Sequence, residues 1–255
     1  MTQGETAPDR TIWTLTGKDA LSFLQGLVSN DLRPLETGQG LVWTALLSPQ
    51  GKYLADFFVA RRADGELLID IASTLADDTL RRLTLYRLRA DVQIKPTALH
   101  ALRGLGPVPE GAFPDPRHPA LGWRHWSEAA GAEPCIDWDA IRVRHVIPES
   151  GIELQPEDSY ILEAGFERLH GVDFRKGCYV GQEVTARMKH KTELRKGLVR
   201  VAIVGSAPVG SPIQSDGKPV GTLFTQSGGH AIAHLRHDRS DGTLTAGQAS
   251  LHVED

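Results

Sequence analysis

The chain has 255 residues, 40% of them hydrophobic and 24% charged, with a formal net charge of −4 at pH 7. That balance is ordinary for a globular protein that buries a core without staples, and it argues against a broad basic surface of the kind that tracks nucleic acid. Two cysteines give no disulfide framework, no apolar run approaches the roughly 18 residues of a membrane helix, and the start carries neither a secretory nor an Arg-rich transit pattern. The expectation is a cytoplasmic protein of a reducing compartment, with no membrane and no stable nucleic-acid partner.

In chain order, Ala20, Leu21, Leu24, Leu27 and Val28 fall on one helical face, with Thr16 and Asp19 as a capping-box-like start. Strand-like runs follow at Leu41–Leu47, Tyr53–Ala60 and Leu67–Ile71, separated by the turn signals Ser48-Pro49-Gln50-Gly51 and Asp64-Gly65. A second helix is predicted over Leu75–Leu88, starting at Thr74 and Asp77, then strands near Val92–Ile94 and Ala98–Leu102. The Gly- and Pro-rich stretch Gly104–Pro119 reads as a loop, and Trp138–His145 as a helix stopped near Pro148. From Leu194 the texture changes. Short β-rich pieces at Leu198–Val204, Val220–Thr225, Ala231–Leu235 and Ala249–Val253 alternate with turn residues, as in a small antiparallel barrel or sandwich. The class is α+β, with a boundary near Thr192–Lys196 that divides 1–193 from 194–255.

The densest chemistry lies in Arg175-Lys176-Gly177-Cys178-Tyr179-Val180-Gly181-Gln182-Glu183. A core rarely needs a thiol, two cations, two glycines, an aromatic ring, an amide and a carboxylate in nine positions. Gln182 to Met188 reads as a short helix, so Cys178 sits on a loop just before a helix N-terminus. The partial positive charge there, with Arg175 and Lys176 nearby, favours a thiolate, which is a nucleophile or a metal ligand. The alternative is a small buried cysteine in a tight turn. Gly177 and Gly181 would shape the loop, and Gln182 and Glu183 would supply hydrogen bonds.

Cys178 cannot hold an iron–sulfur cluster alone, since a cluster takes about four thiolates, and Cys135 does not complete a set. No CxxC, HExxH or paired-His spacing marks a metal site, and His118, His125 and His145 read as surface residues. No nucleophile elbow, P-loop or dinucleotide fingerprint follows a strand. Arg81, Arg82, Arg87 and Arg89 read as a solvated helix face. The basic run Arg187, Lys189, His190, Lys191, Arg195, Lys196 follows the cysteine segment, so an anion-facing role competes there with a solvated one. Trp138 is either a core tryptophan or an aromatic wall for a ligand, and Arg142 is an ion-pair former.

The Lys176-Gly177-Cys178-Tyr179-x-Gly181-Gln182-Glu183 string resembles the signature of the YgfZ/Iba57 group, folate-binding proteins related to the T-protein (aminomethyltransferase) of the glycine cleavage system. Thr16–Ala20, Phe23–Asp31, Ser48–Asp56, Asp115-Pro116-Arg117 and Leu121–Arg124 extend the likeness over nearly the whole chain. It implies a T-protein-like folate-binding fold of antiparallel sheets with helices, ending in a small antiparallel β-barrel. It also implies tetrahydrofolate as cofactor, iron–sulfur carrier or client proteins as partners, support of [4Fe–4S] enzymes and, through them, tRNA modification. On this reading Cys178 and Lys176 carry the chemistry, and Trp138, Asp56, Gln182, Glu183 and Arg187 contact folate. An aminomethyltransferase or related one-carbon transferase is the alternative. Against it, Ala55 replaces one of the paired acids of those enzymes before Asp56, and Ile71 stands at their Asn position. A non-catalytic adaptor that uses Cys178 only transiently is a third reading.

Overall fold

The computed structural model describes residues 4–191, 194–239 and 243–253. The elements run β1 (Glu5–Thr6), β2 (Arg10–Thr16), α1 (Ala20–Gln25), α2 (Pro34–Thr37), β3 (Gly40–Leu47), β4 (Tyr53–Arg61), β5 (Leu67–Ala72), α3 (Ser73–Arg87), β6 (Gln93–Pro96), β7 (His100–Gly104), β8 (Phe113–Pro114) and β9 (Trp123–Ser127). They continue with α4 (Trp138–His145), α5 (Gln182–Lys191), β10 (Lys196–Val204), β11 (Pro212–Ser215), β12 (Lys218–Ser227), β13 (His230–Arg236), β14 (Leu244–Ala246) and β15 (Ala249–Val253). The chain divides into two compact units, Met1–Ile136 with Glu167–Glu183, and Asp137–Phe166 with Val184–Asp255. The predicted boundary falls partly on Thr192 and Glu193, outside the described residues.

The first unit holds two antiparallel sheets. One has the order β3-β4-β5-β2-β6 and the other β1-β7-β9-β8. Every residue of β5 is buried and all of β4 but its last, which is why both read as near-continuous apolar runs. Period-2 alternation splits their side chains. Ala55, Phe57 and Val59 of β4 and Leu67, Ile69 and Ile71 of β5 join one core with Ala20 and Leu24 of α1 and Ala76 and Leu83 of α3. Ala60 and Leu68 join a second core with Ala101 and Trp126 of the other sheet.

That second face also carries Asp56, Phe58 and Asp70, and here sequence reading misses a buried ionic network. Asp70 accepts from Arg10 Nε (2.6 Å) and Trp126 Nε1 (3.2 Å) and lies 3.5 Å from Arg124 Nη1. Asp115 accepts two bonds from Arg117 (3.0 and 2.9 Å) and one from Arg124 Nε (2.8 Å). The guanidinium groups of Arg10, Arg117 and Arg124 surround the Phe58 ring at 5.6, 5.0 and 4.0 Å. Burial alone would raise the Asp115 carboxyl. The charges of Arg117 and Arg124 outweigh it and hold the group well below the usual carboxylate range. The predicted loop Gly104–Pro119 thus contains β8 and supplies one end of this network.

The second unit holds α4, with the bounds that the sequence predicts, and a closed six-stranded antiparallel barrel in the order β10-β13-β12-β11-β14-β15. Val201, Ile213, Leu223, Ala233, Leu235 and Leu244 fill its interior. Arg142 is the ion-pair former the sequence suggests. It donates to Glu153 Oε2 (2.9 Å), Thr225 Oγ1 (2.7 Å) and the Ile147 carbonyl (3.1 Å).

Two predicted helix starts are corrected. Thr16 ends β2, and the Asp19 carboxylate makes no cap bond on α1 but accepts from the Asp91 backbone N–H at 2.9 Å. α3 starts at Ser73 without a side-chain cap, which places Thr74 inside the helix. α1 ends at Gln25, so Leu27 and Val28 are buried from the loop beyond it.

Candidate functional site

The cysteine segment alternates inward and outward. Lys176 and Tyr179 are 4% and 7% exposed, whereas Gly177 and Cys178 face solvent. Cys178 is a free thiol four residues before α5, as the sequence predicts. Cys135 is also free and exposed, and its backbone N–H donates to the buried Glu5 carboxylate at 2.7 Å.

Lys176 is where the structure departs from the sequence expectation. Its ammonium is held by backbone oxygens. It donates to the carbonyl oxygens of Gln25 (2.7 Å), Asn30 (3.0 Å) and Val28, and lies 5.1 Å from the centre of the Tyr179 ring. The chain leaving α1 curls around it and offers these oxygens because no helix continues to use them. Burial lowers the ammonium from the ordinary lysine value to about 8, partly offset by Asp31 and Asp173. Lys176 therefore ties the loop to the turn that follows α1. The Arg175 side chain is 93% exposed, 3.8 Å from Asp173.

The approach to the motif is stitched to the same turn. Ser29 Oγ donates to the Gly171 carbonyl (2.7 Å), Asn30 Nδ2 to the carbonyls of His170 (2.7 Å) and Trp43 (2.8 Å), and Asp173 N–H to the Ser29 carbonyl (3.1 Å). On the far flank, Gly181 has φ 82°, and a Cβ there would lie 2.6 Å from the Ser48 carbonyl oxygen. Only glycine fits that approach to the Ser48–Gly51 turn. Gly177 has no such need: a Cβ would meet nothing within 4 Å. The expectation that both glycines shape the loop holds for Gly181 alone.

A cleft of about 630 Å³ opens beside the motif's leading residues. Asn30, Asp31, Trp43, His170, Asp173 and Arg175 line it, with Val42, Val172 and Phe174 as apolar wall. Arg33, hydrogen-bonded to Asp31, holds that carboxyl down at about 2. His170 has φ 57°, a left-handed backbone that histidine tolerates better than most residues. Next to Trp43, the Asp56 carboxylate is buried and accepts from Trp43 Nε1 (2.8 Å) and the Tyr53 hydroxyl (2.6 Å).

Of the residues predicted from the sequence, Cys178, Lys176, Asp56, Gln182 and Glu183 belong to the first unit, and Trp138 and Arg187 to the second. Trp138 is buried on α4 and Arg187 is exposed on α5. Sequence reading misses Asn30, Asp31, Trp43 and His170 as site residues. Ser29-Asn30-Asp31, a polar run directly after the apolar Leu27-Val28, is the signal that pointed there.

Residues 195–255 match the family described as CAF17, C-terminal beta-barrel domain. An IBA57 homolog of Mycosarcoma maydis, named as a mitochondrial iron–sulfur cluster assembly factor, is 30% identical over 80% of this chain and 58% of its own length. Its counterpart in Pyricularia oryzae is 33% identical over 78% of this chain and 57% of its own. The human IBA57 is 28% identical over 92% of this chain and 78% of its own. The chain thus spans less than three-fifths of the two fungal proteins. In structure, the aminomethyltransferase T of the Bartonella henselae glycine cleavage system superposes with a TM-score of 0.73 at 15% identity, over 97% of this chain and 83% of that one, which shows a shared fold. Sequence and fold together make this chain a relative of the IBA57 iron–sulfur cluster assembly factors, built on the aminomethyltransferase fold of the T-protein.

Proposed function

We propose that this chain supports assembly or repair of [4Fe–4S] enzymes, with Cys178 as its functional thiol and tetrahydrofolate as its cofactor. The observation that carries the reading is an exposed thiol on a loop pinned by Lys176 on one side and Gly181 on the other, in a relative of IBA57. A cluster would be cargo. One thiol supplies a quarter of the usual ligand set, so the remaining ligands come from a carrier or client protein or from a small thiol. Clients would include enzymes of tRNA modification. A cytoplasmic site of action is proposed for this chain, although the named relatives are mitochondrial.

The cleft fits one half of folate better than the other. Phe174 offers an aromatic wall, as a pterin ring requires, whereas the Trp43 ring is fully buried and both Asn30 amide hydrogens already go to the His170 and Trp43 carbonyls. Asp31, Glu167 and Asp173 outnumber Arg175 there, so the anionic glutamate tail would be held elsewhere. Gln182 and Glu183 are proposed as further folate contacts, with Asp56, in the first unit. Both Asp56 oxygens already accept a hydrogen bond, which suits an orienting role more than proton transfer.

Anaerobic folate titration of the wild type and Cys178→Ser, followed by a [4Fe–4S] enzyme assay in cells lacking the protein, tests the reading. Folate binding should survive the substitution and client activity should not return. A variant that melts like wild type and restores the client fully would remove Cys178 from the mechanism. The fold supports the aminomethyltransferase alternative, and turnover with a lipoyl carrier protein at T-protein rates would promote it.

A further inference from the structure

The two ends of α3 meet different surroundings. Ala76, Thr79 and Leu83 are buried, and Leu75 and Leu80 pack beside them on the first unit's core. At the C-terminal end, Leu85, Tyr86 and Leu88 are 73%, 39% and 89% exposed. Leu85 follows Leu83 by two positions, about 200° around the helix, so the core that takes Leu83 cannot take it. A single exposed leucine needs no explanation, but here three large apolar side chains are exposed within four positions.

The backbone gives a second observation. Leu88, the residue after α3, has φ 45° and ψ −105°, a conformation that glycine enters freely and that strains any residue with a Cβ. Its side chain is also the most exposed of the large apolar residues described. Neither backbone geometry nor packing asks for leucine here. Strain retained at an exposed position is a pointer to function.

This end of α3 is charged as well as apolar. Residues 81–90 contain Arg81, Arg82, Arg87 and Arg89 and no carboxylate, in a chain of formal charge −4. Arg81 pairs with Asp78 one turn earlier, and Arg87 donates to the Val92 carbonyl at 3.3 Å. Asp77 and Asp91 lie outside the run on either side.

We propose that this end of α3 docks an acidic, apolar segment of a partner protein, one that sets Asp or Glu side chains beside leucine- or phenylalanine-type anchors. Charge complementarity selects the acidic partner, and the exposed leucines supply apolar surface for its anchors. A lipid surface fits less well. An interfacial helix lays a whole apolar face into the headgroups, and α3 uses its apolar face on its own core.

The test replaces Leu85 with a photo-crosslinking benzoylphenylalanine in the full-length protein in cells. The same replacement at Val209, 56% exposed in the second unit, is the control. The expected adduct at position 85 joins a protein peptide containing at least two Asp or Glu and two large apolar residues. Arg89→Glu should cut its yield roughly fivefold or more, as should added salt in washed cell extract. Leu88→Gly should melt at or above wild type, because glycine relieves the backbone, and should still lose the adduct to a similar extent. No adduct, an equal adduct at 209, a lipid adduct, a self-adduct, a partner peptide without acids, or a Leu88→Gly protein that melts below wild type would each overturn the proposal. None of these readouts uses folate or client activity, so the outcome is independent of the role proposed for Cys178.

Discussion

Lys176→Met separates the support of the cysteine loop from its chemistry. Methionine fills nearly the same space and offers no donor. The carbonyls of Gln25, Val28 and Asn30 then lose the ammonium that joins them. Hydrogen bonds from a charged donor contribute about 1.5–3 kcal/mol each, and taking the ammonium out of water offsets several kcal/mol of the total, so the net loss is about 2–4 kcal/mol. At roughly 2–4 °C per kcal/mol for a domain of 150–250 residues, that is a fall in Tm of about 5–15 °C. Circular dichroism follows the melt, and amide exchange reads protection over residues 176–181. Lys176→Arg should behave similarly, because a planar guanidinium fork does not suit three oxygens converging on one point. A Lys176→Met protein that melts within about 2 °C of wild type with unchanged exchange over the loop would refute the reasoning, since three charged bonds would then be contributing nothing.

Gly181→Ala meets both a positive φ and the Ser48 carbonyl, and should cost about 2–3 kcal/mol, whereas Gly177→Ala should change stability by less than about 0.5 kcal/mol; equal urea midpoints for the two would refute the assignment. Asp115→Asn leaves two buried guanidinium groups short of a carboxylate and should cost about 3–5 kcal/mol in urea unfolding at pH 7. The folded Asp115 value is depressed, so its stabilisation is present above about pH 4 and lost as pH falls below that; the variant should therefore show a shallower acid decline, and an unchanged slope would contradict the network. Lys176 runs in the alkaline direction: its folded value of about 8 lies below the ordinary 10.5, the unfolded chain binds more protons between the two, and this group's contribution to stability rises with pH across that window. A pH series of urea midpoints on wild type and Lys176→Met should show the rise only in the wild type.

The sequence is legible where burial is uniform and partners are near. β4 and β5 are buried on both faces, so their apolar runs end within a residue or two of the strand ends. α4 carries its own cap, Asp137 accepting from the Ala140 N–H, and its bounds match the prediction. Misreadings arise where a distant residue outcompetes a local rule. Asp19 has the place of a cap, but the Asp91 N–H far along the chain takes its carboxylate. β2 escapes a local reading because its neighbours in the sheet are β5 and β6, supplied much later in the sequence. β11 and β14 are four and three residues long, too short to show a period, and closure of the barrel defines them. Asp115 and Arg117 sit in a stretch whose Gly and Pro content says loop, and only the fold brings Arg124 and Phe58 to them.

Lys176 is the same kind of misreading with more at stake. Adjacency in sequence assigned it to Cys178, and the fold assigns it to a turn about 150 positions earlier. The change strengthens the case for the thiol. Burying an ammonium is unfavourable, and the lowered lysine value records that Asp31 and Asp173 offset the cost only in part. The three carbonyl oxygens that converge on the ammonium outweigh that cost. Here the buried cation and the buried Tyr179 ring fix the backbone on both sides of two outward residues, one of them the cysteine. A thiol that must meet a partner's ligands or a bound cofactor gains from having its orientation set before the encounter, because ordering a loose loop would otherwise oppose every productive contact. The tolerance expected at Gly177 and the intolerance expected at Gly181 follow from the same arrangement: the loop is free where it faces outward and fixed where it returns to the fold.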